Sequence, residues 1–153
     1  MPSIARLLSR ASSLLEPVAA LATRLALGQG FVLTGLGKWR DFDRTAAFFG
    51  DLGIPAPRAN AAFVATLEVV GGACLALGLG TRIFSLLLSA TLVVALLTAD
   101  REGFLAAWTW SPEKGLLDIA ATVYLMFLLW LAAHGAGAIS VDRLLEKRSS
   151  RGT

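Results

Sequence analysis

Two scarcities narrow the chemistry of this chain before any motif is read. Among 153 residues there is one cysteine, Cys74, and one histidine, His134. A lone thiol forms no intramolecular disulfide and no Cys-rich metal site. One imidazole excludes a bis-histidine haem within the chain, and one thiol excludes an iron–sulfur cluster held by four cysteines. A three-ligand zinc site would have to be carboxylate-rich. No metal and no haem are therefore expected, and any handling of electrons would need an organic cofactor or a partner's metal. Charge is scarce too, at 16% of residues, against 56% hydrophobic residues and a mean hydropathy of +0.67. Soluble domains are about 45–50% apolar, so this is an integral membrane composition whose first partner is the lipid bilayer. Lysine and arginine stand at the ends of apolar runs and in the tail, where they read as topology signals and lipid-headgroup contacts. No basic stretch interleaved with aromatics points to nucleic acid.

A helix crossing a bilayer needs about 20 apolar residues. Four segments qualify, at 17–37, 58–80, 82–99 and 114–134. The expected fold is an all-α membrane protein, a four-transmembrane-helix bundle over residues 17–142. An amphipathic interfacial segment at 1–16 precedes it and a basic tail at 143–153 follows. Pro17 should open the first span, Pro55 and Pro57 precede the second, and Ser111-Pro112 precedes the fourth. Thr81-Arg82 alone joins the second span to the third. An even number of spans puts both termini on one face, with Arg6, Arg10, Arg82, Arg143, Lys147, Arg148 and Arg151. The opposite face carries Lys38, Arg40, Arg44, Arg58, Arg101 and Lys114. The positive-inside rule assigns the first group, with both termini, to the cytoplasm. On the outer side, Asp43 is positioned to cap a short helix in KWRDFDRTAAFFGDLGIPAP, laid across the bundle mouth. The other outer loop brings Phe104, Trp108 and Trp110, either an interfacial aromatic belt or a lid over an outer pocket.

Three ionisable groups interrupt the spans: Arg24, Glu68 and Asp118. Each would cost about 2.5–3.5 kcal/mol unpaired at a membrane centre, so they are expected to face one another. Glu68, Gly72, Ala76 and Gly80 recur every four residues on one face, the kind of small-residue stripe on which membrane helices pack. Arg24, Gly28, Phe31 and Gly35 form a matching stripe. Counting about 1.5 Å per residue from Lys38 and Arg58 places Arg24 and Glu68 within about 6 Å in depth, close enough to pair. Asp118 is shallower and is expected beside Lys38 or the outer loops. Such a pair either fixes helix register or forms a polar site, Glu68 carrying a proton and Arg24 neutralising negative charge.

These residues resemble the DoxX family over most of the chain. The first span is similar in Arg24, Gly28, Gly30, Phe31, Gly35 and Lys38, and the loop in Gly53, Ile54, Pro55 and Pro57. The next stretch is similar in Glu68, Gly71, Gly72, Thr81 and Arg82, and the end of the chain in Gly135, Gly137, Ser140 and Asp142. The resemblance implies a four-helix protein of the bacterial inner membrane, related to quinone-coupled oxidoreduction and to the membrane subunit of thiosulfate:quinone oxidoreductase. Asp100 stands where the family often has histidine, and Asp118 where it often has glutamate. The expectation that follows is a subunit of a quinone-linked oxidoreductase, with quinone as cofactor and a protein partner completing the electron path. Glu68 and Arg24 would carry the chemistry, with Lys38, Phe31, Asp118, Trp108 and Trp110 around the quinone. A non-catalytic anchor or assembly subunit is the alternative, and a small-molecule carrier the third. Homo-oligomerisation is left open.

Overall fold

The computed structural model describes residues 4–109 and 115–149, and among them every regular element is helical. In chain order they are α1 (Ile4–Arg40), α2 (Phe42–Asp51), α3 (Pro57–Leu77), α4 (Thr81–Leu97), α5 (Arg101–Trp108), a 3-10 turn (Leu116–Asp118), α6 (Ala120–His134) and α7 (Val141–Ser149). Leu15–Arg40 and α3 are each long and apolar enough to cross a membrane. A third span arises if α4 and α5, bent by 84° across a short break, are taken together. The segment expected to be the fourth yields a 15-residue apolar helix, α6. Its first part is diverted because Gly115 and Ile119 are extended, and the Asp118 carboxylate accepts the Gly115 amide at 2.7 Å.

Two other boundaries differ from expectation. The α1 backbone runs unbroken through Pro17, so the proline does not open the helix. The turn between α3 and α4 is Gly78-Leu79-Gly80, not Thr81-Arg82. Both glycines are left-handed, at φ +71° and +56°, which ends α3 at Leu77 and lets Thr81 begin α4. The basic tail is helical as far as Ser149, in α7.

The bundle is organised on α1 and α3, its most extensively packed pair. A Cβ on Gly28 would fall 2.6 Å from the Gly72 carbonyl oxygen, and one on Gly72 would fall 2.7 Å from that of Gly28. One on Gly35 would fall 2.7 Å from the Ala65 carbonyl. The two backbones thus touch along the small-residue stripes anticipated from the sequence. Leu27 and Phe31 of α1 then meet Leu75, Leu88, Leu128 and Leu131 in a core shared by α1, α3, α4 and α6. Ala46 and Phe49 seat α2 on Ala61 of α3, and Leu96, Ala107 and Ile119 join the far ends of α4, α5 and α6. Large apolar side chains also cover the outside, among them Leu33, Phe63, Val70, Leu86, Val94 and Phe127. Apolar residues on both the inner and outer surfaces suit a hydrocarbon solvent.

Gly72→Val should collapse the α1–α3 contact, because its Cβ meets backbone that cannot yield. We expect sharply reduced membrane accumulation and a thermal midpoint in detergent at least several degrees lower. Gly37→Ala, with nothing within 4 Å of the new Cβ, should be neutral or gain up to about 1 kcal/mol.

Candidate functional site

A cleft of about 430 Å³ opens between α2, α3 and α4. Phe48, Phe49, Ile54, Phe63, Leu67 and Leu87 form much of its wall, and Lys38 and Glu68 are its charged lining residues. Lys38 Nζ donates to Glu68 Oε2 at 2.6 Å, with the carboxylate side chain 9% exposed and the lysine 27%. Side chains on a helix lean toward its N-terminus. The lysine therefore leans down α1 while the glutamate, on an antiparallel helix, leans up toward it. Phe48, Phe63, Leu87 and Val94, also on the wall, are exposed on the outer surface. The cleft is thus open from the side.

Arg24 and Glu68 are both buried, but they do not meet. The glycine contacts set Gly28 against Gly72 and Gly35 against Ala65 and Val69, which brings Arg24 level with the α3–α4 turn. Counting depth from Lys38 and Arg58 as if they were level misplaces α1 by about six residues, roughly 9 Å. Arg24 also leans away from Glu68, toward the start of α1. Its Nη2 donates to the Ile139 carbonyl, and its guanidinium fills the space in which any Cβ on Gly78 would lie. Asp142 closes the same corner. Its carboxylate accepts the Gly80 amide at 2.8 Å and the Thr81 amide at 3.2 Å, and its own amide donates to the Gly78 carbonyl at 3.0 Å. It thereby caps the N-terminus of α4 from a distant part of the chain, where a carboxylate is favoured by the helix dipole. Arg24 and Asp142 together strap residues 135–142 across the α3–α4 turn.

The other anticipated residues are dispersed. Phe31 is a core residue, edge-on to Tyr124 at 5.8 Å. Asp118 is exposed and bound to its own turn, not to Lys38. Trp108 is exposed and edge-on to Phe104 at 6.2 Å, away from the cleft wall. Trp110 lies outside the described residues. The helix in the first loop begins at Phe42 with Asp41, not Asp43, at its N-cap position and without a side-chain capping bond, and Asp43 pairs with Arg58 at 2.7 Å. Arg58 also covers the Phe42 ring at 5.2 Å. Missed from the sequence were the α2 aromatics Phe48 and Phe49 as cleft wall, although their place on one apolar face of α2 was visible. The latch role of Asp142 was missed as well, since nothing local to the Ser140-Val141-Asp142 stretch names the α4 amides as its partners. Among the described residues no cluster of three histidine, cysteine, aspartate or glutamate side chains could hold a metal ion.

The DoxX family profile matches residues 19–101. The chain is 35% identical over 135 residues to "Putative oxidoreductase CatD" of Bacillus subtilis, covering 88% of this chain and 92% of that protein. It is 33% identical over 136 residues to the inner membrane protein YphA of Escherichia coli, covering 84% and 91% of the two chains. An uncharacterized membrane protein of Mycobacterium tuberculosis is 30% identical over 143 residues, covering 88% and 85%. No solved structure matches the chain.

Asp142→Ala removes the acceptor for two partly buried amides and should cost about 1–3 kcal/mol. Proteolysis after residue 134 should accelerate in detergent, while ligand binding in the distant Lys38–Glu68 cleft stays unchanged. Equal cleavage rates for variant and wild type would refute the latch.

Proposed function

The chain belongs to the DoxX family, and from that premise we propose that it is an inner-membrane subunit of a quinone-linked oxidoreductase system. The Lys38–Glu68 cleft is its quinone site. One observation carries this reading: a laterally open, largely apolar cleft ends on a hydrogen-bonded lysine–carboxylate pair. Small-molecule sites typically occupy roughly 300–1,000 Å³, with apolar walls and a few placed polar groups, and this cleft fits that description. A relative that carries oxidoreductase in its name is consistent with it.

The residues present suit a quinone head group. Lys38 has an ammonium with three N–H donors, one of them committed to Glu68, so others remain for a carbonyl oxygen. Glu68 is the carboxylate placed to relay a proton to that oxygen, and its 2.6 Å contact with Lys38 holds it at that end of the cleft. The aromatic and branched wall excludes water and orients the ring. Bound there, a quinone would supply two-electron acceptance, with the electrons arriving from a partner protein or a small donor. Arg24 serves the fold in this reading, not the redox step.

Glu68→Gln should lower quinone-dependent turnover in membranes at least tenfold while the protein accumulates normally. The double variant Lys38→Met/Glu68→Gln neutralises both charges, so no unpaired ion remains buried, and should be equally inactive. Quinone extracted with the purified protein should fall in parallel. Unchanged turnover and quinone content in both variants would instead favour a non-catalytic anchor.

A further inference from the structure

A second cavity, about 840 Å³, lies at the opposite end of α3 from the redox cleft. It is bounded by the start of the apolar part of α1 at Glu16 and Pro17, the α3–α4 turn, and the segment from His134 to Arg143. Its character is different. Arg82 and Arg143 both stand on its wall with exposed side chains, and among the described residues neither enters an ion pair. The residues Ala136, Gly137 and Ala138 also form wall. Their backbone amides donate to no protein acceptor among the described residues. His134 adds an imidazole whose Nδ1 is bonded to the Trp130 carbonyl at 3.0 Å, with no partner for Nε2 among the described residues.

The acids on this wall compete weakly. The Asp142 carboxylate is already engaged by the Gly80 and Thr81 amides and interacts electrostatically with the Arg24 guanidinium. Glu16 offsets one of the two arginines. What remains is a concave surface rich in N–H donors and guanidinium, which recognises an oxyanion with several acceptor oxygens. Its position narrows the class further. Arg82 directly precedes the apolar run of α4, and Ile83 beside it is 64% exposed. Trp130 lies on the same wall, stacked on His134 at 4.8 Å. A cationic hollow with an apolar, tryptophan-bearing flank belongs at headgroup depth, where basic pockets between membrane helices take up lipid phosphates.

We propose that this cavity is a phosphate-group binding site, gripped by Arg82 and Arg143 and finished by the amides of residues 136–138. The group is supplied either by an anionic phospholipid or by a soluble phosphate. It stands apart from the redox cleft and does not depend on the quinone reading.

The test uses the full chain, purified in detergent and delipidated, and then titrated by native mass spectrometry. Phosphatidylglycerol, phosphatidylcholine and inorganic phosphate serve as probes, against wild type, Arg82→Gln/Arg143→Gln and Arg82→Lys/Arg143→Lys. Both positions are exposed, so the variants should fold, and the exposed pair Arg40→Gln/Arg101→Gln at the other end of the bundle controls for net charge. We expect one saturable phosphatidylglycerol, bound at least tenfold more tightly by wild type and by Arg40→Gln/Arg101→Gln than by the glutamine pair Arg82→Gln/Arg143→Gln. The lysine pair should be intermediate, and phosphatidylcholine should bind weakly throughout. Saturable inorganic phosphate that the glutamine pair loses, without selective lipid binding, assigns the site to a soluble phosphate. Equal binding of every probe by wild type and the glutamine pair overturns the proposal.

Discussion

The rest of the molecule depends on the contact between the backbones of α1 and α3. Three glycines, at 28, 35 and 72, leave no room for a side chain between the helices. In a membrane, two helices gain nothing by hiding apolar surface from each other, because lipid is equally apolar. Dispersion between closely approaching backbones takes over that role. Because the approach is possible only where a glycine faces the neighbouring helix, the contact also sets the register. Everything polar in the interior follows from that register, including which charge stands opposite which.

The buried charges show how strict the consequence is. A shift of a turn or so along α1 would separate Lys38 from Glu68 and carry Arg24 off the α3–α4 turn. At the observed register each charge has a different resolution. Glu68 gains a lysine that stays partly exposed, whereas Arg24 gains the Ile139 carbonyl and the field of the Asp142 carboxylate, with its Nε and Nη1 given no hydrogen-bond acceptor among the described residues. Buried ion pairs are weak sources of net stability but are costly to break by halves. Parting Lys38 from Glu68 would leave a buried carboxylate unpaired, so this pair penalises misregistered packing more than it stabilises the correct one. The Asp142 latch extends this to the chain's end, since its acceptors reach amides that α4 cannot satisfy internally.

The two ends of the bundle consequently differ in chemistry. One presents an apolar cleft with a single lysine–carboxylate pair and a lateral opening between α2 and α4. The other presents arginines, amides with no acceptor among the described residues, and a tryptophan around a wider hollow. A small ring with two carbonyl oxygens suits the first, and a phosphate oxyanion suits the second. The helix α2 contributes to the cleft because Ala46 and Phe49 tie it to α3, which leaves Phe48 along the opening.

Composition and periodicity alone established a helical membrane protein, the small-residue faces of α1 and α3, and the burial of Arg24 and Glu68. These are local consequences: runs of apolar residues, steps of four, and the cost of charge in hydrocarbon can all be read along one strand of text. The partners of the buried charges could not be read that way. Sequence spacing measures position along a helix, but pairing depends on the offset between helices, which the glycine contacts decide jointly. The lean of side chains toward each helix N-terminus then sends Lys38 to Glu68 and turns Arg24 away. In the same way, only the folded chain could bring Asp142 to the Gly80 and Thr81 amides, 62 and 61 residues earlier, because an unsatisfied helix end accepts any acceptor that tertiary packing delivers.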